Sequence, residues 1–173
     1  MFTKEELRKK AKQIRNLLDI NDISSKINAA VQTSEIYQEA KHVMLFYPLK
    51  DEIDLRPLLK DNDKQFYLPK LDGDKLVICP YKEGDKLVLS TYNTQEPLTE
   101  PVDPGILDII FIPALMVDKE FNRLGYGKGY YDKFLATDNL KAIRIVPIPS
   151  LLVKEELPSE EFDVQFDIII DET

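Results

Sequence analysis

The chain has 173 residues, a formal net charge of −8, and 43% hydrophobic and 31% charged residues. This length and composition are typical of one folded domain and argue against extended disorder. The acidic excess argues against nucleic-acid binding, which needs a basic surface to neutralise phosphates. With one cysteine (Cys79) and one histidine (His42), disulfide frameworks, zinc sites and Cys–His nucleophile pairs are excluded. Any catalysis therefore depends on carboxylates, Lys, Arg, Tyr, backbone dipoles or a hard metal ion.

The first third of the chain alternates helical and strand patterns. Thr3 followed by Glu6 has the spacing of a capping box and predicts the start of a first helix. Apolar residues at helical spacing predict a second helix over residues 21–40. A short apolar run over residues 42–47, stopped by Pro48, predicts a buried strand.

The middle of the chain is richer in strands and turns. A short helix is predicted to begin over residues 54–59, and residues 92–105, with three of the eleven prolines, predict a loop. The region from about residue 60 to 100 is expected to form a β excursion beside the main sheet. Its predicted strands cover residues 66–69, 76–79 and 87–89.

The last third returns to alternating strands and helices. Residues 107–112 predict the clearest central strand, and a helix is expected from residue 129 to 135. Strands follow over residues 142–148 and 166–170. This alternation predicts an α/β fold: a layered single domain over residues 1–173, with a largely parallel or mixed central sheet flanked by helices.

The apolar segments of the chain are too short or too interrupted to cross a membrane. The N-terminus is charged and amphipathic and lacks the apolar core of a signal peptide. The apolar stretch over residues 106–117 is broken by Asp108 and Pro113. We therefore expect a cytoplasmic monomer with neither membrane nor nucleic-acid partners.

Residues 122–132, which we call the glycine segment, are the most informative part of the sequence. Gly125, Gly127 and Gly129 let the backbone approach a ligand closely, and Lys128 adds a positive charge. Ahead of a helix, this pattern predicts an anion cradle suited to phosphates. It is neither a P-loop, since no Ser or Thr follows the lysine, nor a dinucleotide-binding turn, since its spacing is Gly-x-Gly-x-Gly. The alternative is a flexible surface loop that caps the helix.

Further candidates are charged residues outside the three glycines. Asp132 either favours the positive end of the helix or holds Mg²⁺ that bridges phosphate oxygens, with Asp163 or Asp167 as a second ligand. Lys4 and Arg8 are spaced i,i+4 and share one face of the first helix, where paired cations bind an anion. Glu52 follows the strand over residues 42–47, at the end where α/β sheets place ligand contacts.

In this combination, the motifs resemble the 5-formyltetrahydrofolate cyclo-ligase family, also called methenyltetrahydrofolate synthetases. The motifs on which this resemblance rests occur along the chain in the same order as in the family. They are Lys4-x-x-x-Arg8, Phe46-Tyr-Pro-x-x-x-Glu52, Arg123-Leu-Gly-Tyr-Gly-Lys-Gly-Tyr-Tyr-Asp132, and Leu157-Pro-x-x-x-Phe-Asp163 followed by Asp167. Two departures stand out: many members have His where this chain has Phe162, and residues 144–152 lack the expected Gly-x-Ala and Gln pattern.

The resemblance implies an ATP- and Mg²⁺-dependent ligase that converts 5-formyltetrahydrofolate to 5,10-methenyltetrahydrofolate and releases ADP and phosphate. The implied ATP contacts are Lys4, Arg8, Arg123, Leu124, Gly125, Tyr126, Gly127, Lys128, Gly129, Tyr130 and Tyr131. The implied folate contacts are Tyr47, Glu52, Tyr126, Gly127, Lys128, Gly129 and Tyr130. The implied metal ligands are Asp132 and Asp163.

The implied chemistry suits a chain with so few nucleophilic side chains, because the substrate itself supplies the nucleophile. Two other functions remain open from the residues alone. One is a sugar-phosphate or CoA-ester enzyme that uses the glycine segment for phosphate and Glu52 as a general base. The other is a nucleotide- or folate-binding module without turnover.

Overall fold

The computed structural model describes residues 1–173 and contains four α-helices and eleven β-strands. The helices are α1 (Lys4–Asn16), α2 (Ile20–Thr33), α3 (Glu35–Glu39) and α4 (Tyr130–Leu135). Short 3₁₀ helices cover Arg56–Lys60, Pro104–Ile106 and Ser150–Leu152. The strands are β1 (His42–Met44), β2 (Gln65–Asp72), β3 (Lys75–Tyr81), β4 (Leu87–Leu89), β5 (Gln95–Pro97), β6 (Ile109–Phe111), β7 (Met116–Asp118), β8 (Arg123–Leu124), β9 (Ile143–Pro147), β10 (Val153–Lys154) and β11 (Ile168–Ile170).

Six strands form the central sheet in the order β11-β9-β6-β1-β2-β3. All neighbours are parallel except β2 and β3, which form an antiparallel pair. From β1 the chain continues outward through β2 and β3, whereas β6, β9 and β11 extend the sheet in the opposite direction. The carboxyl ends of β1 and β6 therefore flank a topological switch point, which is where open α/β sheets bind ligands.

Alternating side chains of the sheet belong to two hydrophobic clusters on opposite faces. Val43 and Ile109, which are register partners, pack in one cluster with Ile27 of α2. Met44 and Ile110 pack in the other cluster with Ala11 of α1, and Phe134 and Leu135 of α4 belong to this cluster too. The result is a helix–sheet–helix arrangement with a mixed central sheet, and it confirms the predicted fold class.

Several predicted elements differ in detail from the structure. The predicted helix over residues 21–40 is two helices, because Ser34 caps α3 by accepting a hydrogen bond from the Tyr37 N–H. Residues 92–105, expected to be loop, contain β5 and the start of the 3₁₀ helix Pro104–Ile106. The β excursion is smaller than expected, since β2 and β3 belong to the central sheet and only β4 and β5 form a separate hairpin.

A second, three-stranded sheet of β10, β7 and β8 was not predicted. Its strands have two or three residues each, too few to show an alternating pattern. The predicted capping box of α1 is present, with Thr3 and Glu6 bonded reciprocally. No helix is both long enough and apolar enough to cross a membrane.

Candidate active site

A cavity of about 1070 Å³ opens at the switch point between β1 and β6. Its walls come from the start of α1, the segment after β1, the glycine segment and the acidic segment near the C-terminus. The structure places all residues implied as ligand contacts around this one cavity. They are Lys4, Arg8, Tyr47, Glu52, Arg123, Leu124, Gly125, Tyr126, Gly127, Lys128, Gly129, Tyr130, Tyr131, Asp132 and Asp163.

Helix α1 brings two cations to the cavity from one face. The Lys4 Nζ lies 2.8 Å from Asp163 Oδ2 and 3.1 Å from Glu160 Oε1. Burial lowers the pKa of Lys4, but the hydrogen bonds to these two carboxylates outweigh it and raise the pKa, so the ammonium stays charged. The Arg8 Nε donates a 2.9 Å hydrogen bond to the carbonyl of Gly125. Both side chains therefore tie α1 to other walls of the cavity.

The backbone of the glycine segment passes close to α1. Gly127 has a φ of +101° and Gly129 a φ of +73°, in the region that favours glycine. A Cβ at Gly127 would lie 3.5 Å from the Arg8 Cζ, in contact with the guanidinium. Gly129 precedes α4 as its N-cap residue without a side-chain cap. The segment thus presents bare backbone between Arg8 and the start of α4.

Two cations of the glycine segment have different environments. Arg123 is largely buried and donates from Nη1 to the Pro113 carbonyl at 2.9 Å, and its Nη2 lies 3.8 Å from Asp132 Oδ1. Burial lowers the pKa of Arg123, and Asp132 opposes this effect. Lys128 is exposed, with its Nζ 5.4 Å from the ring centroid of Tyr92. Arg123 therefore joins the glycine segment to the carbonyl of Pro113, whereas the exposed ammonium of Lys128 is available to a ligand.

Glu52 is a buried carboxylate, with only 6% of its surface exposed. Its Oε1 accepts a 2.6 Å hydrogen bond from the Leu49 N–H, and its Oε2 accepts a 2.9 Å bond from the Tyr126 hydroxyl. Burial raises the pKa of Glu52, while both hydrogen bonds oppose the rise. Burial and the nearby Glu52 raise the pKa of Tyr126, so its hydroxyl remains a donor. Each carboxylate oxygen of Glu52 retains capacity to accept from a ligand.

The other tyrosines of the cavity are held in defined positions. The Tyr47 hydroxyl accepts a 2.8 Å hydrogen bond from Arg56 Nη1, and the guanidinium lies over the Tyr47 ring. Tyr130 donates to the Tyr92 hydroxyl at 3.3 Å. Burial raises the pKa of Tyr131, whose ring centroid lies 5.5 Å from the Arg123 guanidinium carbon. Leu124 is buried in the core beneath the cavity.

Asp132 and Asp163 are the two aspartates on the cavity wall. Asp132 Oδ1 accepts a hydrogen bond from the Val164 N–H at 3.1 Å, which joins α4 to the segment carrying Asp163. Asp167 lies away from the cavity, exposed, and accepts from the Arg144 N–H. No three His, Cys, Asp or Glu side chains are grouped to hold a metal by themselves. Two carboxylates fit Mg²⁺, which takes its remaining ligands from phosphate and water.

Comparison with known proteins agrees with this geometry. Residues 1–172 match the model of the 5-formyltetrahydrofolate cyclo-ligase family. The chain belongs to this family. The resemblance predicted from the motifs is thereby confirmed.

Relatives of the cyclo-ligase family match over most of their length. The 5-formyltetrahydrofolate cyclo-ligase of Mycoplasma genitalium is 28% identical over 156 residues, which cover 90% of this chain and 87% of that protein. The NMR structure of Aquifex aeolicus 5,10-methenyltetrahydrofolate synthetase has a TM-score of 0.84 and 31% identity, covering 98% of this chain and 89% of that one. The Mycoplasma pneumoniae synthetase structure has a TM-score of 0.80 and 26% identity, covering 99% and 100%.

Three cavity features of this cyclo-ligase family member were not predicted from its sequence. Tyr92 reaches the cavity from the turn between β4 and β5, a region predicted only as loop. Phe162 is 66% exposed and its ring centroid lies 5.7 Å from Lys4 Nζ. The third, Arg15, is buried behind the lining and donates to the carbonyl of Asp51, next to Glu52. Of the three residues, only Phe162 could have been found from the sequence, because it lies in the motif Leu157-Pro-x-x-x-Phe-Asp163.

Proposed function

We propose that this chain is the ligase that converts 5-formyltetrahydrofolate to 5,10-methenyltetrahydrofolate, using ATP and Mg²⁺ and releasing ADP and phosphate. The observation that carries the proposal is that one cavity, in a member of this family, combines the glycine segment, cations and the buried carboxylate Glu52. The partners are small molecules only. We further propose that the chain acts as one domain over residues 1–173 and as a monomer in the cytoplasm; a single copy supplies every wall of the cavity, which supports the monomer.

In this proposal the cations of the cavity bind ATP and its buried carboxylate binds the folate. Lys4, Arg8 and Lys128 neutralise the phosphates of ATP, while the bare backbone of the glycine segment leaves room for them. Glu52 and Tyr126 anchor the folate ring, since a buried carboxylate accepts hydrogen bonds from ring N–H groups. Tyr47 and Tyr130 line the cavity and also contact the folate.

In the proposed reaction, the formyl oxygen of the folate attacks the γ-phosphorus of ATP, and ADP leaves. The formyl carbon is then part of an O-phosphorylated, iminium-like intermediate. N10 of the folate attacks this carbon and loses its proton, the ring closes, and the former formyl oxygen leaves with phosphate. No protein nucleophile is needed, so the protein contributes positioning and charge neutralisation.

Asp132 and Asp163 are the residues that would hold Mg²⁺ in the presence of ATP. The ion supplies charge neutralisation at the phosphate oxygens and helps to orient them. Asp132 is already fixed by the Val164 N–H, and Asp163 by Lys4 and by the Glu160 N–H at 2.9 Å. These contacts keep both carboxylates at the cavity wall.

The direct test is the absorbance of the methenyl product during incubation of the protein with 5-formyltetrahydrofolate, ATP and Mg²⁺. The proposal expects product growth that stops when ATP is omitted or Mg²⁺ is chelated. Absence of ATP-dependent product at substrate-level protein would contradict it. Binding of both ligands without product would instead favour a binding module, and turnover of a sugar phosphate or CoA ester would favour a different enzyme.

A further inference from the structure

Arg15 is a buried arginine that belongs to none of the predicted ligand contacts. It is 3% exposed, in the last turn of α1. Arg8 lies on the same face of α1, two helical turns before Arg15. No carboxylate lies within ion-pair distance of the Arg15 guanidinium. A buried charge without an ionic partner is costly unless hydrogen bonds stabilise it.

The hydrogen bonds of Arg15 join the two walls of the switch point. Its Nη1 donates to the carbonyl of Asp51 at 2.8 Å, immediately before Glu52 on the segment after β1. Its Nη2 donates to the carbonyls of Ala114 and Leu115, on the segment after β6. Arg15 Nε has no acceptor. One planar guanidinium thus fixes both backbone segments directly beside Glu52 and Pro113, which line the cavity.

Arg15 is also the cation that acts on Glu52. The other charged or titratable groups facing Glu52 are Asp51 on its own segment, Tyr126 on the glycine segment and Tyr131 on α4. Burial raises the pKa of Glu52, and Asp51 adds to the rise, while Arg15 opposes it together with the hydrogen bonds from Leu49 and Tyr126.

We propose that Arg15 is a positioning residue for Glu52: it fixes the backbone next to Glu52, and its positive charge favours the carboxylate form that accepts hydrogen bonds from the folate. The inference rests on the proposed function, in which Glu52 binds the folate. A lysine at this position would keep the charge but could not bond both segments, because its ammonium lacks the planar fork of a guanidinium.

The test compares Arg15→Lys and Arg15→Gln with a matched control, Lys12→Gln, which removes a positive charge from the exposed side of the same helix. Steady-state kinetics give KM separately for folate and for ATP, and kcat/KM is measured from acidic to alkaline pH. We expect KM for the folate to rise about 10- to 100-fold in Arg15→Gln, the size of losing a hydrogen bond to a charged group, with KM for ATP unchanged.

The pH profile separates positioning of Glu52 from a general structural role. Loss of the Arg15 charge raises the pKa of Glu52 further, so the acid limb of kcat/KM should move to higher pH in Arg15→Gln. Arg15→Lys should keep the limb in place while raising KM for the folate. In a Glu52→Gln background, the Arg15→Lys change should add little.

The inference is overturned if KM for folate stays at the wild-type value, or if both KM values rise together while the acid limb stays in place. If Arg15→Gln does not fold, Arg15→Lys and the double variant decide the question by the same KM comparison. An inactive wild type would contradict the proposed function. An active wild type whose Arg15 variants behave like Lys12→Gln would contradict this inference alone.

Discussion

Burial divides the cationic residues in and directly behind the cavity wall into two groups. Arg15 and Arg123 are buried and donate to backbone carbonyls, so they shape the walls. Lys128 is exposed and makes no hydrogen bond, and Lys4 is half-buried and paired with acidic residues. Replacing a buried arginine is therefore expected to affect folding and function together, whereas Lys128 is expected to affect function alone.

Lys128→Ala should reduce turnover about 100-fold or more, because one preorganised donor to a developing charge contributes on this scale. The free energy of unfolding should stay within about 0.5 kcal/mol of wild type, since the side chain is exposed. The matched control is Lys133→Ala, an exposed lysine of α4 five residues further along the chain that does not line the cavity. Unchanged turnover at saturating ATP would show that Lys128 does not contact the phosphates.

Asp132→Asn should increase the Mg²⁺ concentration needed for half-maximal activity. The amide oxygen can still accept from the Val164 N–H, so the change removes mainly the charge. A Mg²⁺ titration at fixed ATP measures the effect, and Asp167→Asn is the control because Asp167 lies outside the cavity. If both variants need the same Mg²⁺ concentration as wild type, Asp132 only stabilises the start of α4 and accepts the hydrogen bond from the Val164 N–H.

Helix α1 contacts three different segments of the chain at the site. Its first turn contacts the acidic segment through Lys4, its second turn contacts the glycine segment through Arg8, and its last turn contacts the segment after β1 through Arg15. These residues lie on one helical face, spaced at four and seven residues. The helix therefore fixes the relative positions of three chain segments that are far apart in sequence.

The glycine segment offers a test at the same scale through Gly127. With a φ of +101°, Gly127→Ala should lower the free energy of unfolding by about 1–2 kcal/mol. Gly84→Ala is a matched control, since Gly84 has a φ of +93° on a turn away from the cavity. Urea denaturation should give similar losses for the two variants.

Only Gly127→Ala should also raise KM for ATP, because its added Cβ would contact Arg8. Equal kinetics for the two variants would mean that the glycine segment needs no close approach at residue 127.

The sequence predicts those elements whose pattern repeats often enough to be recognised. The long α1, with its Thr3 capping box, and the apolar strands of the central sheet fall in this group. The break at Ser34 was missed because its capping bond competes with an apolar pattern that continues across it. The short strands β7, β8 and β10 are set by contacts with distant segments.

The same limit applies to the site. Residues within dense local motifs, such as Lys128, were predicted and lie at the cavity. Arg15 was not predicted, because its partners are backbone carbonyls of two other segments. Every residue has a backbone carbonyl, so the side-chain sequence does not indicate which ones accept from Arg15. Tyr92 was missed because its turn contains no local pattern that points to a ligand.

For the molecule as a whole, the acidic net charge extends into the cavity, whose lining contains both cations and carboxylates. The chain carries −8, yet Lys4, Arg8 and Lys128 meet at one cavity. The acidic residues near the C-terminus include Asp163 and Glu160, which neutralise Lys4 in the structure. Bulk polyanions are repelled by a chain of net charge −8, whereas a small anion that enters the cavity can contact Arg8 and Lys128. Mg²⁺ held by Asp132 and Asp163 would offset part of the negative charge there.

Ligand binding should stabilise the whole chain, because the cavity walls come from both ends and from the middle of the sequence. A ligand that binds only the folded state at 100 times its Kd adds about 2.7 kcal/mol to the free energy of unfolding. For a chain of this size, that corresponds to a rise in Tm of about 5–10 °C. We expect such a rise with Mg²⁺ and a non-hydrolysable ATP analogue, and a smaller one with adenosine, which lacks the phosphates proposed to contact Lys4, Arg8 and Lys128. Thermal unfolding followed by circular dichroism measures it. Equal shifts with the analogue and with adenosine would contradict phosphate binding in the cavity, and the Lys128→Ala variant should lose part of the shift with the analogue alone.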